Sequence, residues 1–150
     1  RLSSESKLEI RGMLREVTEI ESIGDSCYNL ARTINRKRSG GNDFTEKQYE
    51  HIHQMMQLTD DALAQMIAIV EDDYHVVDVN KTFNLENEIN NYRAQLKNQN
   101  VVDVNNKEYD YQMGVHYMDL IGECEKLGDY VVNVVEARTN VKEKKTGDNR

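Results

Sequence analysis

Two segments that lie far apart in the chain repeat the same arrangement of oxygen-bearing side chains. The shared pattern, E-x-hydrophobic-G-D-x-x-x-N, comprises Glu21, Gly24, Asp25 and Asn29 in the first copy and Glu125, Gly128, Asp129 and Asn133 in the second. On a helix, intervals of four residues place the three oxygen-bearing side chains on one face in successive turns. Because two carboxylates at this spacing repel each other, a pair beside a core needs a proton, a basic side chain or a cation.

The repeated rows have the chemistry of a metal site. Carboxylate and amide oxygens form a hard-donor set that suits magnesium, manganese, iron or similar ions. One acidic pair at this spacing is usually an ordinary solvent-exposed face, whereas two copies in the same register favour a function. Glycine costs a helix interior about 1 kcal/mol relative to alanine, so a glycine before each aspartate predicts a close approach to the backbone there. A metal, a proton and a basic side chain all stay open as the partner of these rows.

Helices must position both motifs, and the sequence predicts four of them. Proline is absent, and Glu, Lys, Gln, Met, Leu and Ala are frequent, which is typical of long helices. Capping boxes of Ser6 with Glu9 and of Thr45 with Gln48 predict the first two helix starts, the second reinforced by a Phe44 to Tyr49 hydrophobic staple. The predicted spans are 6–38, 45–70, 74–97 and 107–136, with a frayed polar tail from residue 142.

Apolar residues recur at helical spacing along these segments. On the first helix they predict an inward face made by Ile10, Leu14, Val17, Gly24, Ala31 and Ile34. On the second helix the predicted seam is Tyr49, Ile52, Met56, Thr59, Leu63, Met66 and Val70. Alternating steps of three and four are expected where helices pack at shallow angles, and short loops make neighbouring helices antiparallel. The predicted fold class is therefore all-α, an elongated antiparallel four-helix bundle.

Charge and hydropathy exclude several partners. The chain has 150 residues, 27 acidic against 19 basic, and a formal net charge of −8. This surface repels nucleic-acid phosphates, so no nucleic-acid partner is expected. The apolar runs are far shorter than the roughly 18 residues that span a bilayer, so no direct membrane insertion of this segment is expected. Because the chain opens with Arg1 and helix-forming sequence follows at once, we expect a segment of a longer protein.

The motif pair and the helical pattern resemble the PhoU-like family over residues 5–145. Repeats of that family consist of three helices, the third bearing E-R-I-G-D-H-x-x-N-I. The sequence of the two motif copies most resembles that of PhoU-like domains appended to bacterial sodium/phosphate cotransporters. The arginine and histidine of the family pattern are replaced by Ser22 and Ser26 in the first copy and by Lys126 and Tyr130 in the second.

The resemblance implies a domain organisation and a role. Residues 1–38 would be the third helix of a first repeat, 44–141 a complete second three-helix repeat and 142–150 a polar tail, together forming one bundle domain. The implied protein is a cytoplasmic regulatory domain of phosphate transport, without enzymatic activity. An upstream transporter domain would hold it at the inner face of the cell membrane and be its partner.

The resemblance also implies metal ligands, because the acidic motifs of the family bind metal clusters. The ligands it assigns are Glu21, Asp25, Glu125 and Asp129, with Glu86 and Asn90 in comparable register on the third helix. The ion would be iron, zinc, manganese or magnesium. Two helices precede the fourth helix but none precede the first, so the first site should be incomplete. We expect its apolar stripe to be under-covered and to support a homodimer through the first helix.

Two other classes of function stay open. Glu50 and His53 have the E-x-x-H form of ferritin-like carboxylate enzymes, and Asp72 with His75 is a looser copy. Since Glu50 and Asp72 would be about 33 Å of helix apart, they cannot share a cluster. His51 and His53 are expected to face solvent. The other alternative is a metal-free helical interaction module whose acidic rows face solvent.

Overall fold

A computed structural model of the chain describes residues 1–39, 43–72 and 78–147, without the side chains of residues 38, 39 and 140–147. The described residues form four α-helices: α1 (Ser4–Ser39), α2 (Glu46–Glu71), α3 (Asn80–Asn105) and α4 (Tyr111–Gly147). No strand occurs in these ranges. The predicted all-α fold class is therefore confirmed.

The first two helix starts are set by side-chain caps. At α2, Thr45 and Gln48 form the predicted capping box, and the Phe44 ring meets the Tyr49 ring edge-on with centroids 5.6 Å apart. At α1 the predicted box of Ser6 with Glu9 is wrong. Ser3 Oγ accepts a hydrogen bond of 3.1 Å from the backbone N–H of Ser6, so α1 begins earlier than expected.

The bounds of α3 and α4 differ from the prediction because other residues cap them. The expected start of the third helix at Tyr74 lies outside the described residues, and α3 begins at Asn80, whose N–H donates to Asp78 at 2.9 Å. It continues to Asn105, through residues that lie between the predicted third and fourth helices. Asp110 accepts a hydrogen bond of 2.8 Å from the N–H of Met113, so α4 starts at Tyr111, and its backbone stays helical to Gly147.

The end of α3 is a tight helix stop. The N–H of Glu108 donates to the carbonyl of Asp103 at 2.9 Å, and the N–H of Lys107 donates to the carbonyl of Val104 at 3.1 Å. This pair of bonds is a Schellman motif, which places the residue after the cap in the left-handed region. That residue is Lys107, with φ of 60°.

The central helix of the bundle is α4. The α2, α3 and α4 helices pack against one another, whereas α1 packs against α4 alone among the described residues. Arg15 near the start of α1 pairs with Glu136 near the end of α4 at 3.7 Å, so these two helices are antiparallel. The close approach of Val104 to Gly114 likewise sets the end of α3 beside the start of α4. The chain thus alternates in direction from each helix to the next.

The face of α1 that contacts α4 is not the predicted one. Ile10, Leu14 and Val17 are 43%, 62% and 53% exposed, and of the predicted inward stripe only Ile34 packs against the core. The fully buried positions among the described side chains of α1 are instead Glu16, Ile23, Ser26 and Leu30. Polar contacts with α4 favour this rotation of α1. Arg138 of α4 lies 3.7 Å from Glu16, and Asn133 of α4 lies 3.3 Å from Glu19.

Among the residues described, none of the helices has the length and hydropathy required for a membrane span.

Candidate functional site

The second motif copy lies at a close approach of α3 to α4. A Cβ built on Gly128 would lie 3.3 Å from Cδ1 of Ile89, a fully buried residue of α3. Glycine at this position therefore lets α3 approach α4, which is the close approach that the sequence predicted. On α3, Glu86 and Asn90 are one turn apart on the side that borders α4, so the crossing brings polar groups of both helices together.

Two carboxylates meet across this crossing. The carboxyl of Glu86 on α3 lies within interaction range of the carboxylate of Asp129 on α4 and of the side chain of Asn90. Burial raises the pKa of the Glu86 carboxyl above its ordinary value, and the negative charge of Asp129 raises it further, while the bond from Asn90 works in the opposite direction. A proton or a cation between the two carboxylates would relieve their repulsion.

The motif glutamate has a different partner. Oε2 of Glu125 lies 3.3 Å from Nε of Arg93 on α3, and both side chains are about one-third exposed at 28% and 34%. Sequence reasoning missed Arg93, although it follows Asn90 by three residues and therefore continues the same face of α3. The motif left a proton, a basic side chain and a cation open as partners. For Glu125 the partner is a basic side chain, that of Arg93.

The third motif residue contacts α1. Nδ2 of Asn133 donates to Oε2 of Glu19 on α1 at 3.3 Å. The row of Glu125, Asp129 and Asn133 thus borders α3 at one end and α1 at the other.

The first motif copy is built differently. Glu21 and Asp25 are exposed on α1, on the side that does not contact α4. A Cβ built on Gly24 would meet no atom within 4 Å. The structure therefore does not bring the two motif copies together, and no described element faces the α1 row as α3 faces the row on α4.

The donor set between α3 and α4 suits one hard cation better than a cluster. Two carboxylates and one amide meet at Glu86, Asp129 and Asn90, and oxygen donors of this kind bind magnesium or manganese. In the part of the chain that the structure describes, no group of three or more acidic, histidine or cysteine side chains could hold a metal. Arg93 also competes with any cation for Glu125.

A second polar cluster, which sequence reasoning missed, lies at the opposite end of the three-helix unit. Nδ1 of His51 is 3.0 Å from the hydroxyl of Tyr117, beside a cavity of about 220 Å³ that Gln48, Asp103 and Tyr109 also line. Burial lowers the pKa of His51 and raises that of Tyr117. The expectation that His51 faces solvent is wrong, because the start of α2 is packed against Tyr117 of α4. Tyr117 recurs at helical spacing with Met113, Leu120 and Cys124, which indicates burial, but nothing in the sequence indicated which histidine it would meet.

The residues of the ferritin-like alternative do not converge. Glu50 and His53 are both exposed on α2, and Asp72 is the C-cap of that helix. His75 lies outside the described residues. A di-iron bundle needs a cage of several carboxylates and histidines. Within the described ranges, no three potential ligands lie close enough to form one.

The fold and the carboxylate face together define an all-helical bundle domain with an acidic motif on its central helix. The model of the PhoU domain family matches residues 52–137, which run from α2 through α3 into α4 and make up more than half of the chain. The chain belongs to the PhoU domain family, and this membership indicates a role in the regulation of phosphate transport. No significant match was found among curated proteins or among solved structures.

Proposed function

We propose that this chain is a cytoplasmic regulatory domain of a bacterial phosphate transport system, and that it binds a single metal cation between α3 and α4. The transporter that it serves would be a sodium/phosphate cotransporter whose membrane domain precedes it. In this role the chain regulates the transporter and does not catalyse a reaction. The observation that carries the proposal is the Glu86 to Asp129 pair on the helices that match the family.

The cation would act on the packing of the two helices that hold it. Glu86 and Asp129 repel each other across the crossing of α3 and α4, so an ion bound to both would draw the helices together. Asn90 would supply a third oxygen ligand, and Glu125 would join only if Arg93 moved away. Such a site should be weak and should favour magnesium or manganese, the ions that accept carboxylate and amide oxygens.

The test is a titration of the metal-free chain with Mg²⁺ and Mn²⁺ by isothermal calorimetry. The Glu86→Gln/Asp129→Asn variant should lose binding. The Glu21→Gln/Asp25→Asn variant is the matched control, because it removes the same types of charge from the exposed first motif copy, and it should bind as the parent does. Equal binding by all three chains, or none by the parent, would exclude the proposed site.

Thermal denaturation separates metal binding from a purely structural role. Replacing both repelling carboxylates by amides should not destabilise the metal-free bundle, so the Glu86→Gln/Asp129→Asn variant should melt no lower than the metal-free parent. Added Mn²⁺ should raise the melting temperature of the parent and of the Glu21→Gln/Asp25→Asn control, but not that of the Glu86→Gln/Asp129→Asn variant. A variant that melts much lower without metal would identify the pair as a structural hydrogen bond.

The regulatory role is tested by uptake of radiolabelled phosphate in cells that carry these variants in the chromosomal copy. We expect the Glu86→Gln/Asp129→Asn variant to change how uptake responds to external phosphate, with the Glu21→Gln/Asp25→Asn strain close to the parent. A metal-free interaction module is the second candidate, favoured by the Arg93 to Glu125 ion pair. It predicts that both variants behave as the parent in uptake and in calorimetry.

A further inference from the structure

The cavity beside His51 is lined by all three helices of the unit formed by α2, α3 and α4, and we call it the end cavity. α2 contributes Gln48 and His51, α3 contributes Asp103, and Tyr109 and Tyr117 lie before and on α4. The volume of the end cavity is about 220 Å³. Because one water takes up about 30 Å³ of liquid, this space can hold several waters or one small ring molecule.

Gln48 presents an unpaired hydrogen-bond donor at this cavity. The residue is only 3% exposed, and its Oε1 accepts a hydrogen bond of 2.9 Å from the backbone N–H of Thr45 within the capping box of α2. That bond fixes which end of the amide is which, because only the oxygen can accept from an N–H. The buried Nε2 donates to no described residue. A buried donor without an acceptor costs free energy, so the site favours a molecule that supplies an acceptor.

A neighbouring phenol does not supply the missing acceptor. Burial raises the pKa of Tyr109 and the charge of Asp103 raises it further, while the amide of Gln48 acts in the opposite direction, so the amide and the phenol are close. The Tyr109 hydroxyl donates its proton to Oδ1 of Asn100 at 2.7 Å. Its oxygen lies outside hydrogen-bond geometry to Nε2 of Gln48. The acceptor for Gln48 must therefore belong to a molecule inside the cavity, either water or a ligand.

Asp103 supplies an acceptor for the same molecule. Its half-buried carboxylate lines the cavity and accepts a hydrogen bond of 2.9 Å from Nε2 of Gln99, one turn earlier on α3. An ionised carboxylate can accept about four hydrogen bonds, so capacity is left. Burial is the main influence on the pKa values of His51 and Tyr117, and the charge of Asp103 raises both, so the carboxylate lies within electrostatic range of α2 and α4. An N–H on the ligand would suit this carboxylate.

The charges at the end cavity select a neutral ligand. Among the described residues, the charged lining consists of Lys47, Asp103 and Glu108, one positive group against two negative groups. Burial lowers the pKa of His51, so its imidazole is neutral at pH 7 and adds no positive charge. Inorganic phosphate and other anions are therefore disfavoured. A simple cation is disfavoured in turn, because it would face the donor of Gln48.

We propose that the end cavity binds a nucleobase, as the free base or the nucleoside, through a lactam edge. In uracil, guanine and hypoxanthine a ring carbonyl stands beside a ring N–H, so one edge offers an acceptor to Gln48 and a donor to Asp103. The rings of Tyr109 and Tyr117 provide aromatic surface against which a flat neutral ring can pack. Tyr117 precedes Asp129 by about 18 Å of helix, so this site is separate from the proposed metal site.

The experiment is a titration of the ¹⁵N-labelled chain in EDTA, followed by heteronuclear NMR, so that its outcome does not depend on a metal. Uridine and inosine at up to roughly 5 mM represent the pyrimidine and purine sources of the edge, and they reveal dissociation constants in the millimolar range. At least one of them should shift the side-chain amide resonance of Gln48. Inorganic phosphate should leave that resonance unchanged.

Methylated nucleosides test the donor on the ligand. The compounds 3-methyluridine and 1-methylinosine keep the carbonyl but lose the ring N–H, so the carboxylate of Asp103 would stay unpaired. They should bind at least about 10-fold more weakly than uridine and inosine. Equal binding of the methylated and unmethylated nucleosides would contradict the proposed edge.

Two isosteric variants remove the protein's donor and acceptor separately. Gln48→Glu keeps an oxygen for the N–H of Thr45, so the capping box survives while the donor is lost. Asp103→Asn removes the carboxylate charge and one acceptor oxygen. Each should weaken the binding of uridine or inosine by at least about 10-fold, followed through the backbone resonance of Tyr109.

The chain offers a matched control for each variant elsewhere on α2. Gln54→Glu changes an exposed glutamine whose Oε1 accepts from the Tyr92 hydroxyl at 3.1 Å. Asp61→Asn changes an exposed aspartate that accepts from Gln57 at 3.0 Å, in the same i,i+4 arrangement that holds Asp103. Both controls should bind as the parent does.

Thermal denaturation followed by circular dichroism verifies that every variant is folded at the temperature of the titration. If neither nucleoside shifts the resonances of the parent, the cavity holds water alone and the proposal is overturned. Binding by Gln48→Glu or Asp103→Asn as tight as that of the parent would overturn it as well.

Discussion

At the scale of single residues, the two motif copies show that the same side chains acquire different chemistry from their surroundings. Burial and the nearby charge of Asp129 raise the pKa of Glu86. Asp25 has the same position in the other copy and, like Asp129, is exposed, but no described helix presents a carboxyl to it. A sequence motif therefore identifies candidates, while the facing helix decides which of them form a site.

His51 should make the stability of the bundle depend on pH. Burial lowers its pKa, the charge of Lys47 lowers it further, and Glu50 and Asp103 oppose the shift only in part. The native state therefore binds fewer protons than the unfolded state as the pH falls below the unfolded value of about 6.5, so acid should reduce the free energy of unfolding. Urea denaturation at pH 7.5 and 5.5 should show a smaller loss in His51→Gln than in the parent.

The control for this effect is His53→Gln, which changes an exposed histidine two residues further along α2. It should lose as much stability on acidification as the parent. Equal pH dependence in the His51→Gln variant and the parent would show that other groups cause the acid sensitivity.

Lys107 occupies a backbone conformation that glycine adopts at lower cost. Its φ of 60° lies in the left-handed region, and the Schellman motif at the end of α3 fixes it there. The Lys107→Gly variant should therefore raise the free energy of unfolding by about 0.5–1 kcal/mol. Lys97→Gly, at an exposed position inside α3, should lower it by a similar amount because glycine weakens a helix interior. Urea denaturation of both variants measures this difference, and destabilisation by Lys107→Gly would contradict it.

At the scale of helices, the sequence predicted which segments are helical better than which faces they bury. On α2 the predicted seam is correct at Ile52, Thr59 and Met66, but Tyr49 and Met56 are exposed. Met55, Ala62 and Ile69 are buried instead, because α2 packs against two helices and needs a face wider than one seam. On α1 the error is larger, because the polar contacts with α4 outweigh the apolar pattern. Apolar spacing alone carries no information about the partner's polar groups.

The two motif glycines should respond differently to alanine. Gly24 has open space where a Cβ would lie, so Gly24→Ala should raise the free energy of unfolding by about 1 kcal/mol through helix propensity alone. At Gly128 the new Cβ would lie 3.3 Å from Ile89, so contact with α3 should offset much of that gain. Thermal denaturation measures both variants. An equal gain at the two positions would show that α3 does not approach α4 as closely as described.

At the scale of the whole molecule, the sequence predicted the helix count, the alternating directions and the family, because these follow from periodicity, loop length and one distinctive motif. It did not predict that α1 would pack against α4 alone, nor that Arg93 would pair with Glu125. Both depend on how far each helix is rotated about its axis, a quantity that distant side chains decide together. The contact between His51 and Tyr117 could not be predicted for the same reason, since it joins residues 66 positions apart.

The attachment of α1 to a single neighbour also determines the order in which the molecule can assemble. The helices from α2 to α4 are joined by short connections and contact one another, so they can collapse through local encounters. By contrast, α1 must find α4 across nearly the whole chain, as the contact between Arg15 and Glu136 illustrates. Closing so long a loop is entropically costly and slow, so α1 should dock last in folding and detach first in unfolding. We therefore expect the unit of α2, α3 and α4 to form first, and α1 to attach to it and detach from it as a separate step.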